Sequence, residues 1–569
     1  MHITSKATQG ILWLLILAVP VSALLTLGNV IIWVSGLHAV AAIFLHLVMK
    51  DGVLLSMLPP RDGGPATQDQ GVSLARRASA KAKTHTWELP LTWETPGFNS
   101  MRAVSSHKKL RMPTSITYTM PPGPPSRMWG ANHLRHIQHD FLSFISQLQR
   151  QYTDIAYLRV LNEEFVHVFH PDWVREVLVD QAHALIRWEH ATEVFRMSMG
   201  QSVLVTEGSQ WQRQRRMLQP GFTPKRVASY AYLMAQATHE ALDPLTDQRC
   251  VNIDALMTRV TLDVILRTLF GQHQVKDPQP VSDAIQTLSH FGLTQILRPF
   301  KWPLWLPVPS VWRARAAIHT LNTLIDQHIE LQQTLAQDGG DDLLSMLRLA
   351  RDPDHPEQGL SPQELHDQTM VMFQAGHETT ATALTWWCGL IAQHPEVAQR
   401  IHHEVETVLQ GQDPTPATLA QMPWLQASLK EAMRLYPPAA ILFSRRACQD
   451  IRIGPWLIPK GHLISICPSV IQRDPRWFES PDAFRPERFL PDAPDLQRGA
   501  WMPFGIGPRV CIGQHFAMLE MGLIAAMLMQ RFALKWPQGQ AWPKGQMAIS
   551  LRPATPMVLH LEARPSMRV

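Results

Sequence analysis

Cysteine is scarce in this sequence. The five residues, Cys250, Cys388, Cys448, Cys467 and Cys511, are widely spaced and form no C-x-x-C pair. That argues against a disulfide framework or a zinc site and fits a reducing compartment. Glycine-rich phosphate cradles are also missing: the sequence has no G-x-G-x-x-G, P-loop or flavin motif, so nothing in it points to a bound nucleotide. Charge is absent between Lys6 and Lys50. The net charge is only +5, and residues 1–115 hold eleven Lys and Arg against five Asp and Glu. The surplus therefore sits in one tail beside an apolar run, which favours anionic lipid headgroups as its partner and implies no nucleic acid.

The charge-free run is too long for one upright helix of ~20 residues. It reads as a membrane-anchoring segment over residues 1–58, with one or two spans. Either a single span covers Gly10 to Trp33 and an interfacial helix follows, or a hairpin turns at Leu27-Gly-Asn29. A secretory signal cleaved near Val21-Ser-Ala23 is the rival. The basic residues that follow would keep the remaining chain in the cytoplasm. Residues 59–118, rich in Pro, Gly, Ser, Thr and Lys, read as a disordered tether. Met101, Met112 and Met120 are possible alternative starts, and each would give a soluble cytoplasmic protein.

The most informative stretch is Phe504-Gly-Ile-Gly-Pro-Arg-Val-Cys-Ile-Gly513. Its glycines and Pro508 prevent regular structure up to Cys511, and an apolar helical run begins at Gln514. A cysteine just before a helix is expected to favour its thiolate, and a thiolate there suits a haem iron. The stretch resembles the cytochrome P450 signature F-x-x-G-x-R-x-C-x-G at every fixed position. From Met120-Pro-Pro-Gly-Pro-Pro125 onward, the order of motifs is also similar to that family. The resemblance implies a P450 haem domain over residues 119–566, mainly α with small β-sheets, preceded by the apolar membrane segment. It implies haem b (iron-protoporphyrin IX) on Cys511, with Phe504, Arg509 and Gly513 around it.

The rest of the chain supplies the other parts. His133 to Tyr152 has helical spacing, and residues 155–160 and 164–169 read as a hairpin. Trp211 and Arg215 lie four apart on one helix face. In isolation they mark an amphipathic basic helix; by resemblance they bind a haem propionate. Arg298 to Pro309 holds two tryptophans, a phenylalanine and four prolines, in a loop that either meets a membrane or is a buried connection. Ser361-Pro-Gln-Glu364 is a capping box opening a helix of about 48 Å. Inside that helix lies Ala375-Gly-His-Glu-Thr-Thr380, where Gly376 costs ~1 kcal/mol against Ala.

By resemblance, Ala375 and Gly376 leave room for O2 where the helix opens locally, Thr379 hydrogen-bonds the oxygen, and Glu378 relays protons. His377 is read as a residue facing solvent or the outer site. Glu431 and Arg434 pair at i,i+3, and resemblance adds Arg488 to form a structural triad. Arg445, rather than Arg446, is the expected propionate-binding arginine. The implied activity is insertion of one atom of O2 into a small lipophilic substrate: a fatty acid, alkane, terpene or sterol-like molecule. The electrons come from a separate donor, a ferredoxin or a flavin reductase. The alternative is a non-catalytic haem-thiolate sensor.

Overall fold

The computed structural model describes residues 120–564, apart from 246–249, 272–278, 299 and 335–341. The expected membrane segment (1–58) and the linker (59–118) both lie outside these residues. Among the described residues, no helix is long and apolar enough to cross a membrane.

Two helices come first, α1 (Ala131–His139) and α2 (Phe141–Tyr152). The sequence suggests a single run there. Asp140 divides it, because its carboxylate accepts from the Ser143 N–H and caps α2. Strands β1 (Ile155–Val160) and β2 (Glu163–Val168) form the expected hairpin. After β3 (Leu185–Arg187) come α3 (Glu189–Met199), α4 (Gly208–Leu218), α5 (Ile253–Phe270), α6 (Gln279–Ile296) and α7 (Pro309–Thr334). The central helix α8 (Pro362–Gln393) is followed by α9 (Pro423–Leu435), β4 (Arg445–Ala447), β5 (Leu463–Ile466) and α10 (Gln514–Arg531). A C-terminal hairpin of β6 (Gly545–Met547) and β7 (Leu551–Pro553) closes over the helices.

The larger sheet has the order β1-β2-β5-β4-β3, with only β2 and β5 parallel. Its register pairs Arg187 on β3 with Arg445 on β4. Two arginines 258 positions apart in sequence are thereby brought side by side.

Ser361 starts α8 with the full capping box: its hydroxyl accepts from Glu364 N–H, and the Glu364 carboxylate accepts from Ser361 N–H. The helix then runs through the core and ends at His394, before Pro395. Trp386 and Trp387 are fully buried, and their indole N–H groups donate to Leu551 O (2.7 Å) and Ser428 Oγ (2.8 Å). These bonds tie α8 to the C-terminal hairpin and to α9 while satisfying polar atoms that would otherwise be costly to bury.

The 298–309 segment matches neither reading in full. Phe300 and Trp305 are 77% and 76% exposed, so it is not a buried connection. Trp302, however, packs on the core and lies under the Arg298 guanidinium at 3.4 Å.

Candidate active site

Glycine shapes the loop that carries Cys511. Gly505 and Gly507 have φ of +71° and +79°, a left-handed backbone that side chains disfavour. A Cβ on Gly507 would also meet Leu178 O at 2.1 Å. Cys511 N–H donates to Phe504 O (2.9 Å), and Gly513 is the N-cap of α10. Cys511 is exposed although it lies deep among protein atoms, so its surface opens onto internal space. Burial pushes its thiol up, while the Gly513 N–H and Arg215 pull it down. In the protein alone, burial is the largest of these influences on the thiol.

A second opening lies on α8. Nearly every residue from Leu365 to Ile391 is buried, but Ala375 and Thr379 are exposed and Gly376 is partly so. Exposure at i, i+1 and i+4 in the middle of a buried helix marks one face of an internal cavity. Next to this window, the Thr380 hydroxyl donates to Gly376 O (3.0 Å), and α8 packs against α10, the helix that begins just after Cys511, so the window and the cysteine loop flank the same region.

A basic pocket forms the third part. Arg187, Arg445 and Arg509 line it together with a single carboxylate, Glu207. Arg509 pairs with Glu207, donates to Thr206 O (3.0 Å) and stacks 3.8 Å above the Trp211 ring. Arg445 donates to Phe443 O (2.6 Å). Burial, and after it the neighbouring guanidiniums, hold Arg187 well below the usual arginine range. Burial brings Arg445 and Arg509 down to about 10. Arg215 lies close enough to act on Cys511, Arg187 and Arg509. Arg446 points elsewhere, to Glu163 and Glu189.

Glu431, Arg434 and Arg488 meet behind the cysteine loop. Arg434 Nε and Nη2 donate to the Glu431 carboxylate (2.7 and 2.8 Å), and Arg488 Nε does so at 3.3 Å. Arg434 also donates to Gln472 O (2.8 Å). Gln472 Oε1 accepts from Met502 N–H (2.8 Å), and Met502 O accepts from Gly505 N–H (2.9 Å). The buried ion pair is thereby coupled to the loop through Gln472.

The family model for cytochrome P450 matches residues 121–560. The chain belongs to the cytochrome P450 family. It is 32% identical over 431 residues to cyclooctatin synthase of Streptomyces melanosporofaciens, covering 74% of this chain and 92% of that protein. It is 29% identical over 436 residues to cyclooctat-9-en-7-ol 5-monooxygenase of the same species, covering 74% and 93%. Among solved structures it is similar to the retinoic acid-bound cyanobacterial CYP120A1, with a TM-score of 0.69 and 27% identity over 79% of this chain and 100% of that one. The protein is a P450 monooxygenase, an oxidoreductase that uses haem, O2 and a redox partner.

The residues present fit a haem. The P450 basic pocket holds three guanidiniums against one carboxylate, and Nε and Nη1 of buried Arg187 have no partner among the described residues. Such a pocket lacks anions, and two propionates would supply them. A Cβ on Gly505 or Gly513 would meet nothing within 4 Å, which leaves room for a flat group against the backbone. A metal ion at the sulfur would also reverse the upward push on Cys511.

Several sequence-based expectations need correction. The P450 oxygen-side helix is unbroken at Gly376; the Thr379 hydroxyl donates to Ala375 O (2.9 Å), so no local opening is seen. A Cβ on Gly376 would lie 2.9 Å from Ile265 Cδ1, so this glycine lets α5 pack closely as well as bordering the window. Glu378 is buried and held away from the window by Ser289 Oγ (2.9 Å), Ser550 Oγ (2.7 Å) and Arg552 (3.2 Å). His377 faces neither solvent nor the cavity; it is fully buried, and neither ring nitrogen has a partner among the described residues. The sequence reading missed Arg187, Glu207 and Gln472. Each gains its role from a long-range contact, and no local spacing marks it.

Proposed function

We propose that Cys511 would supply the sulfur ligand of haem b and that Arg187, Arg215, Trp211, Arg445 and Arg509 would hold its propionates. The carrying observation is a thiol opening onto internal space between an anion-deficient arginine pocket and the window on α8. When bound, haem supplies O2 activation, with electron donation from the thiolate. The protein's part is to place the substrate, keep water out and manage protons. Thr379 presents the hydroxyl at the window, and Glu378, the adjacent acid, serves as the proton carrier. Glu431, Arg434 and Arg488 hold the cysteine loop in place.

The substrate is a lipophilic molecule, and a terpene-like one is favoured over a fatty acid, alkane or sterol. Phe443, beside the arginine pocket, packs on Phe195 with ring centroids 5.1 Å apart. Ile549 and Val194 lie 3.5 and 3.9 Å from the position of a Cβ on Gly292. These apolar side chains come from α3, the segment just before β4 and the turn between β6 and β7, with Gly292 of α6 beside them, and they suit an apolar guest. The names of the relatives that act on cyclooctat-9-en-7-ol and bind retinoic acid support the same class. The test is turnover with a surrogate ferredoxin or flavin reductase across retinoids, cyclic diterpene alcohols, fatty acids and alkanes. Hydroxylation confined to straight-chain acids would overturn the terpene-like assignment.

We also infer that the domain works at a membrane surface on the cytoplasmic side. The charge-free run between Lys6 and Lys50 and the exposed Phe300, Trp305 and Trp312 support this reading. Fractionation of the full chain tests it: recovery in the soluble fraction at low salt would refute it.

A further inference from the structure

The last turn of α6 and the segment behind it hold two hydrogen-bond donors that the fold does not use. Gln295 is 0% exposed. Its Oε1 accepts from the Trp302 N–H (2.7 Å), which fixes the orientation of the amide and turns Nε2 the other way. Nε2 is buried and has no partner among the described residues. Arg298 stacks on the same tryptophan, with its guanidinium 3.4 Å from the ring centroid. Its Nη1 is likewise buried and unpartnered among the described residues. Glu193 of α3 reaches this segment, but it is paired with Lys301. His190, also of α3, places a ring nitrogen 3.1 Å from Gln295 O and so ties α3 to the end of α6.

These donors lie one turn past the apolar patch assigned above to the guest. Gly292 comes three residues before Gln295, with Val194 and Ile549 around the space where its Cβ would be. Ser289, a turn earlier again, bonds Glu378 (2.9 Å) beside the window residue Thr379. In order along α6 there is thus a contact to the window helix, a gap with apolar walls, and the buried donors. Ser289 and Gln295 are about 9 Å apart along the helix axis. Buried donors without an acceptor are costly, and each such group in a native fold calls for an explanation. A water molecule would satisfy the Gln295 amide but leave the Arg298 charge uncompensated. A carboxylate satisfies both, through one neutral and one charge-assisted hydrogen bond. Trp302 holds both donors in place beforehand, which limits the ordering cost of binding.

We propose that Gln295 Nε2 and Arg298 Nη1 bind a carboxylate on the substrate, so that the substrate is a terpenoid acid. Its hydrocarbon body lies over Gly292 and its far end reaches the window. This rests on the terpene-like reading given above. Oxidation then falls on the end of the molecule remote from the acid. Trp302 is a positioning residue that acts through Gln295 and Arg298.

The test uses the haem-loaded full chain and two matched pairs of probes, retinoic acid with retinol and palmitic acid with hexadecanol. Affinities are read from the substrate-induced Soret shift and, independently of the haem, by calorimetry. Wild type should bind retinoic acid about tenfold or more tightly than retinol. Arg298→Met and Gln295→Leu should each remove most of that preference and bind retinol as wild type does. Arg298→Lys should keep part of it. Gln295→Glu, which puts a carboxylate into the site, should reverse it. With a surrogate reductase, the oxygen should enter retinoic acid at its ring end. Equal binding of acid and alcohol by wild type would mean that the donors hold only water, and the proposal falls. It falls too if the variants weaken acid and alcohol alike, since the residues then serve packing alone. Tight binding of both retinoids with no acid preference would overturn the carboxylate site and leave the terpene-like reading standing. An acid preference seen only in the straight-chain pair would overturn the terpenoid class and leave the carboxylate site standing.

Discussion

Glu431→Ala removes the carboxylate shared by Arg434, Arg488 and the backbone N–H of Arg485 (2.9 Å). Glu431 and Arg434 are both 0% exposed. The alanine variant leaves a guanidinium buried without its counter-ion, and breaking such a pair costs about 3–5 kcal/mol. Some of that is retained, because Arg434 keeps its bonds to Gln472 O, Pro481 O and Ala483 O. With an unfolding entropy of ~2.1 cal/mol/K per residue, a domain of about 445 residues loses roughly 1 °C per kcal/mol. The expected fall in Tm is therefore about 3–5 °C. Because Gln472 connects Arg434 to Met502 and the cysteine loop, haem content per purified chain should fall further than stability alone requires. Differential scanning calorimetry and haem quantification on the same sample check both effects. The milder Arg488→Gln, at the edge of the network, provides a folded comparison. A Glu431→Ala protein with unchanged Tm and full haem content would refute the coupling through Gln472.

Other predictions follow from the same geometry. Gly507→Ala would place a Cβ 2.1 Å from Leu178 O at a φ of +79°, so the purified variant should contain little haem by absorbance. Arg187→Met should have opposite effects in the two forms of the protein. The haem-free form becomes more stable, because one of several mutually repelling guanidiniums is gone; the loaded form loses stability and releases haem faster to an apo-myoglobin trap. His377 is depressed to about 3 by burial, helped by Arg552. Below pH 6.5 the unfolded chain protonates this histidine while the folded one does not. Stability is thus lost as pH falls from 6.5 toward 3, by up to ~1.4 kcal/mol per unit. His377→Phe should flatten that limb in urea titrations at pH 6.5 and 5, unless the histidine protonates in the fold near its ordinary value.

What could be read from the sequence was local. The cysteine loop, the Ser361 capping box and the Glu431–Arg434 spacing each lie within a few residues, where glycine conformation, capping and helical periodicity act directly. What escaped notice depends on distant pairing. Arg187 lies beside Arg445 only because β3 and β4 align in that register. Gln472 matters because it bridges a helix and a loop thirty residues away. Glu378 was identified as an acid in the right place, yet only Ser289, Ser550 and Arg552 show which way it faces. The downward pull expected on Cys511 was real but smaller than the effect of its burial.

The central claim is that Cys511 provides the iron's sulfur ligand. The most direct measurement is the ferrous–CO difference spectrum of the wild type and Cys511→Ala, with haem content determined in parallel. Wild type should show the red-shifted Soret band of a thiolate-ligated haem, and the variant should lose it. A wild type that binds no haem, or a variant that keeps the band, would contradict the account.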